Sequence, residues 1–259
     1  MNLTLSKVRG QCYDGAANMA GSKSGVAMQI RSEELRAVFT HCYGHALSLA
    51  CGKHCKILRD ALETTHEITK LVKLSPRRDA IFHEIQQTVA PGSPGVRLLC
   101  PTRWTVRADD LKSVLDNYVV LQETWDEAVE AVKDTESKAR ILGVSAQMQT
   151  FQFFYGVVLG ELILRHCDNL SRTLQKESIS AAQGQEVADL TVKTLMSIRS
   201  DQNFELFWEN TQLRAKSLDI SEPCLPRQRK FLRGLRVAAL WQSLLVLLIV
   251  TSGRYTMKG

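Results

Sequence analysis

The sequence contains no internal repeat and no low-complexity tract, which excludes a repeat protein and a disordered polar chain. It shows no leading signal peptide, and its seven cysteines are odd in number and lack paired spacing. These absences argue against a disulfide framework, so we expect free thiols in a reducing compartment. With 259 residues, 44% of them hydrophobic, the chain has enough apolar material for one large domain or two small ones.

Acidic residues are absent from residues 227–259, which contain seven basic residues. Those seven charges exceed the net charge of the whole chain, +6, by one, so residues 1–226 carry a net charge of −1. A basic chain favours nucleic-acid binding, but here the excess is confined to the tail. DNA binding by residues 1–226 would therefore need a local basic patch.

The first part of the chain follows the alternation of an α/β fold. Its pattern predicts an extended segment at 3–13, a helix at 16–35, a second strand at 37–42 and a helix from residue 45. Two short strands do not form a stable sheet alone. We therefore expect either further strands elsewhere or an incomplete sheet.

From residue 57 to residue 219 the apolar residues follow helical spacing. Serine and proline at 75–76 predict a helix start, and Gly156 or Gly160 is expected to bend a long helix. The aromatic residues Phe204, Phe207 and Trp208 are expected to pack in the core rather than bind a ligand. The pattern predicts helices at 57–72, from 76 onward, at 107–132, 136–176 and 181–216, a loop at 91–95 and a third strand at 96–99.

Asp14 follows the first predicted strand and precedes a turn of small residues. Ligands and catalytic groups of α/β folds gather at the carboxyl ends of strands, and the amino terminus of a helix favours negative charge. Asp14 is therefore a candidate functional acid. The alternative is that it caps the following helix.

Four motifs give the chain a family resemblance. They are GQCYDGAANM at 10–19, SGV at 24–26, HCYGHALSLA at 41–50 and TRW at 102–104. In this order and at this spacing they resemble the hAT superfamily of DNA transposases, above all its transposase-derived host proteins of the zinc finger MYM-type kind, over residues 3–230. The resemblance implies a ribonuclease H-like α/β fold interrupted by a large all-helical insertion, in a nuclear protein that is predominantly helical overall. The partial α/β segment would be 1–56 and the insertion domain 57–219.

The resemblance also implies an incomplete catalytic site. Enzymes of this family cut DNA with three carboxylates that hold two Mg²⁺ ions, and Asp14 matches the second of these acids. No acid precedes it, and the third acid, which relatives carry in a Ser-Glu-Arg-type helix motif, has no match at 217–259, where Glu222 is followed by Pro223. We therefore expect a catalytically incomplete relative that does not cleave DNA by itself and has no cofactor of its own. Asp14 would bind metal only if partner acids were supplied elsewhere.

Four further residues match positions with a role in the family. Similarity assigns Cys42 and His45 to the support of the acidic site, and Arg103 and Trp104 to DNA, where an aromatic ring stacks on an exposed base. The alternatives are a buried cysteine beside a hydrogen-bonded histidine, and a tryptophan in the core. A zinc site is disfavoured, because His45 and Cys51 are six positions apart and a helix rises about 9 Å over that separation, too far for one tetrahedral ion.

The tail departs from the family pattern after a basic linker at 220–236. An apolar segment follows at 237–253, close to the lower length limit for a spanning helix when counted from residue 235. It is interpreted as an aberrant reading frame, a marginal membrane anchor at 235–253, or a buried or partner-facing helix. The partners to test are DNA and other proteins. The dimerisation region of the family has no match here, so no oligomer of the family type is expected.

Overall fold

A computed structural model describes residues 4–42, 55–98 and 106–223. The chain divides into two compact units, Met1–Ala50 and Cys51–Gly259. Helices make up most of the described residues, which confirms the expectation of a predominantly helical protein.

The first unit is a small β-α-β arrangement. After a 3-10 turn at Leu5–Lys7, it contains strand β1 (Gly10–Tyr13), helix α1 (Ala17–Ala20), helix α2 (Val26–Glu33) and strand β2 (Val38–His41). The strands are parallel, as a helical crossover requires, with Gly10 opposite Val38 and Tyr13 opposite His41. The described part of the sheet has these two strands.

Two glycines divide the helix that the sequence predicts at 16–35. A Cβ atom on Gly21 would collide with the carbonyl oxygen of Ala17, and a Cβ on Gly25 would lie 2.5 Å from the Gly21 nitrogen. The chain folds back on itself tightly between α1 and α2, and only glycine fits there. The prediction of one continuous helix is therefore wrong.

The second unit is helical in all its described secondary structure. Its helices are α3 (Lys56–Lys73), α4 (Pro76–Val89), α5 (Arg107–Asp116), α6 (Tyr118–Ala131), α7 (Thr135–Met148), α8 (Phe151–Leu174), α9 (Ala181–Ile198) and α10 (Asp201–Ser217). Helix α8 is central and packs against α3, α5, α7, α9 and α10. Its residues 153–160 are all buried, so neighbouring helices surround this part of it.

Helix α8 continues without interruption through the two glycines that were expected to bend a longer helix. Instead, the predicted helix 136–176 is broken at 149–150, where the hydroxyl of Thr150 accepts the N–H of Phe153 (3.3 Å) and begins α8. The glycines serve close packing: a Cβ on Gly160 would lie 2.6 Å from Leu58 Cδ1.

Asn117 interrupts the predicted helix 107–132 between α5 and α6. This buried side chain donates to the carbonyl oxygens of Pro94 (2.7 Å) and Ser113 (2.8 Å) and accepts from Gln86 Nε2 (2.9 Å) and Ser93 Oγ (2.9 Å). The network fixes the loop after α4. Residues 96–98 form no strand, which corrects the predicted third strand; residue 99 lies outside the described residues.

The aromatic residues of α10 pack against α8. The Trp208 ring lies edge-on to Phe151 (5.3 Å between centroids) and to Tyr155 (5.6 Å), while Phe207 lies 5.8 Å from Tyr155. Phe204, Phe207 and Trp208 are half-buried. They attach α10 to the central helix, the packing role expected for them.

Among the helices in the described ranges, none is both long and apolar enough to cross a membrane. The apolar segment 237–253, on which the membrane interpretation depends, lies outside those ranges, as does most of the predicted basic linker 220–236.

Candidate functional site

Asp14 is the first residue after β1 and is exposed to solvent. Its Oδ1 accepts the N–H of Ala16 (3.2 Å), the residue that precedes α1. The carboxylate thus orders the turn between strand and helix. It does not cap α1, because the N-cap residue is Ala16 and no side chain makes a capping hydrogen bond there, so the capping alternative is wrong. Its second oxygen makes no hydrogen bond or ion pair to the described residues.

Strand β2 brings Cys42 to the same end of the sheet. The N–H of Cys42 donates to the carbonyl oxygen of Tyr13 (2.8 Å), which continues the parallel pairing by one step beyond His41. Asp14 and Cys42 are therefore neighbours at the carboxyl edge of the sheet. The Cys42 thiol is free and half-buried.

Gln11, on β1, helps to hold the two strands and the crossover helix together. The sequence did not indicate this role. Its side chain is buried, and Nε2 donates to the carbonyl oxygens of Ala27 (3.0 Å) on α2 and Ala37 (3.1 Å) before β2. One side chain thus ties β1 to both the crossover helix and the second strand. A polar residue in the middle of a short strand was the available signal.

An ion pair between Arg36 and Glu34 lies in the segment that connects α2 to β2. The guanidinium of Arg36 donates to both carboxylate oxygens of Glu34 (2.7 and 2.8 Å), and these hydrogen bonds lower the pKa of Glu34 to about 2. The bidentate geometry fixes the chain as it enters β2.

The remaining candidate residues, His45, Arg103 and Trp104, lie outside the described residues. Within residues 4–42, 55–98 and 106–223, no three His, Cys, Asp or Glu side chains form a group able to hold a metal ion.

The helical unit also contains two buried acids that the sequence did not indicate as a site. Asp110 on α5 and Asp168 on α8 are each only 3% exposed. Burial, the largest cause, raises the pKa of Asp110 to about 7 and that of Asp168 to about 6. Their helical spacing among apolar residues was the only available signal.

Comparison with known proteins gives no family for the chain: no family model matches it, and no solved structure matches it.

Proposed function

We propose that this chain is a transposase-derived protein of the hAT kind that binds DNA in the nucleus without cutting it. One observation carries the proposal. The acid of the GQCYDGAANM motif lies at the carboxyl end of β1, beside Cys42 of a parallel strand, where an α/β nuclease of the ribonuclease H kind needs a carboxylate. The helical unit would then be the insertion domain.

The proposed lack of DNA cleavage depends on the number of carboxylates that could bind metal ions. Two-metal cleavage requires several carboxylates around a pair of ions a few ångströms apart. Asp14 alone matches the family acids in this sequence, and it is exposed rather than enclosed by other acids of the described residues. Mg²⁺ would be held by a relative with all three acids.

The DNA contact in this proposal falls on Arg103 and Trp104. These residues precede α5, whose first turn is held by the central helix α8 through the hydrogen bond from Ala108 N to Asp168 Oδ2 (2.9 Å). An aromatic ring that stacks on an unpaired base contributes about 1–3 kcal/mol, and arginine neutralises phosphate.

The test combines binding and cleavage with the complete chain. We expect binding to DNA with an unpaired base to weaken about tenfold in Trp104→Ala, and to fall steeply with salt. Trp208→Phe, a conservative change on α10, should leave affinity unchanged. No nicking is expected with Mg²⁺ or Mn²⁺. Nicking that disappears in Asp14→Ala would overturn the proposed inactivity, and salt-insensitive or absent DNA binding would overturn the DNA-binding function.

A second candidate function, a helical protein-interaction module, is favoured by exposed apolar residues on α9 and α10. Leu190 on α9 is 62% exposed and Leu213 on α10 is 67% exposed, with Met196 and Leu206 also exposed. The two helices contact one another, and a contiguous apolar patch across them would be typical of a contact surface. Protein binding that is insensitive to salt and lost in Leu190→Ser with Leu213→Ser would support this function over DNA binding.

A further inference from the structure

The junction between α5 and α8 contains two carboxyl groups that are almost fully buried. Asp168 Oδ2 accepts the backbone N–H of Ala108 (2.9 Å), so a side chain of the central helix satisfies one of the donors in the first turn of α5. Asp110, two residues further along α5, is equally buried, and none of the described residues hydrogen-bonds its Oδ2.

The charges around this pair come from three parts of the helical unit. On α5, Asp109 opposes ionisation of both acids and Arg107 favours it; from the loop before α5, Arg97 favours ionisation of Asp110. On α8, Arg172 favours ionisation of Asp168. Arg165 on α8 is engaged elsewhere, since it pairs with Asp109 and with Glu161 (2.7 Å).

Burial outweighs these nearby cations. An ionised carboxylate without a hydrogen-bond partner is costly inside a protein, and a second carboxylate nearby adds repulsion. The Asp168 carboxylate adds to the cost of ionising Asp110, because like charges repel in the low-dielectric interior. The arrangement is therefore most stable when the pair holds at least one proton.

We propose that Asp110 and Asp168 form a proton-dependent latch, in which a proton bound by the pair tightens the first turn of α5 against α8 and its loss loosens that turn. In the latched form Asp110 is neutral and Asp168 Oδ2 accepts the N–H of Ala108, which a carboxyl oxygen does whether the group is ionised or protonated. When both acids are ionised, their repulsion acts directly on this hydrogen bond.

The sign of the pH dependence follows from proton linkage. A carboxyl group whose pKa is raised in the folded state binds its proton more tightly folded than unfolded, so its stabilisation is complete below the unfolded pKa. That stabilisation is lost as the pH rises from about 4 to the folded pKa of Asp110, about 7. The latch is therefore closed in mild acid and open in mild alkali.

The test uses the complete chain and three variants. Between about pH 8 and about pH 6 we expect the Tm of the wild type to rise by roughly 4 °C and the amides at 108–112 to exchange more slowly after correction for intrinsic rates. Asp110→Asn, which mimics the neutral acid, should raise the Tm at about pH 8 and flatten the profile. Asp116→Asn, at the exposed end of the same helix, should follow the wild type.

Asp168→Asn provides a second variant should Asp110→Asn fail to fold, and carbon NMR of the Asp carboxyl groups in the wild type needs no variant. A carboxyl resonance that titrates near neutrality and disappears in either Asn variant would support the latch. Titration of every Asp near its ordinary pKa, or an Asp110→Asn profile that parallels the wild type, would overturn it.

Discussion

At the scale of single residues, two helical glycines occupy opposite environments. Gly160 on α8 faces the buried side chains of Leu58 and Leu111, and a Cβ there would lie 2.6 and 2.8 Å from their Cδ1 atoms. Gly143 on α7 is exposed, and a Cβ there would meet no atom within 4 Å. The same substitution should therefore have opposite effects at the two positions.

We expect Gly160→Ala to lower the free energy of unfolding by about 2 kcal/mol, because both leucines are enclosed and overpacking forces them to move. Gly143→Ala should raise it by about 0.5–1 kcal/mol through helix propensity alone. Urea denaturation of the two variants measures both values. Stabilisation by Gly160→Ala would contradict the close packing of α3, α5 and α8.

Asn117 is the residue that joins the loop after α4 to the junction of α5 and α6. Asn117→Ala removes two donated and two accepted hydrogen bonds and leaves Gln86 Nε2 without its Asn117 partner in a buried site. We expect a loss of about 3 kcal/mol in the free energy of unfolding. Asn210→Ala, at an exposed position of α10, should change it by less than about 0.5 kcal/mol, and equal effects of the two variants would contradict the role of the network.

At the scale of elements, the attachment of α10 depends on a few aromatic rings. Trp208 contacts Phe151 and Tyr155 of α8 and stacks on Phe204 within α10. Trp208→Ala should destabilise the protein by about 2 kcal/mol and speed hydrogen exchange throughout α10. Leu213→Ala, on the exposed side of the same helix, is the matched control; equal exchange in both variants would show that the rings do not hold α10.

Helix starts with local signals were predictable, whereas helix breaks set by tertiary contacts were not. Ser75 and Pro76 predicted the start of α4, and the Ser75 hydroxyl accepts the N–H of Arg78 (3.4 Å). The break at Asn117 depends on partners 23 and 31 residues away. No window along the sequence contains that information.

In the candidate site, too, features set by the local sequence were predictable and features set by tertiary contacts were not. The position of Asp14 at a strand end was predictable from the apolar run before it, and its neighbour Cys42 from the second run. The buried pair Asp110 and Asp168 was not, since the two residues lie on helices separated by 58 positions and become neighbours only when α5 packs on α8. The ribonuclease H-like fold remains a prediction from the motifs.

At the scale of the whole molecule, acids with lowered pKa values and acids with raised pKa values make the stability of the folded state depend on pH in opposite directions. Hydrogen bonds from Arg140 lower the pKa of Glu67. The side chain of Ser137, followed by the backbone N–H groups of Ser137 and Glu136, lowers the pKa of Asp134. Their stabilisation is present above the unfolded pKa values, 4.5 and 3.8, and is lost as the pH falls through the folded values. The buried pair Asp110 and Asp168 acts in the opposite direction, since its stabilisation is lost as the pH rises.

Both groups of acids stabilise the folded state together only in a narrow pH interval just above the unfolded pKa values of the carboxyl groups. We therefore expect the Tm of the complete chain, followed by far-ultraviolet circular dichroism, to be highest at about pH 5 and to decline on both sides. Asp110→Asn should move the maximum toward neutral pH, because it removes the part of the alkaline decline that comes from Asp110 and leaves only that from Asp168. Arg140→Ala should weaken the acid side alone. A wild-type maximum at about pH 8 would show that the buried acids ionise without cost, and that α5 and α8 hold them by contacts other than those described.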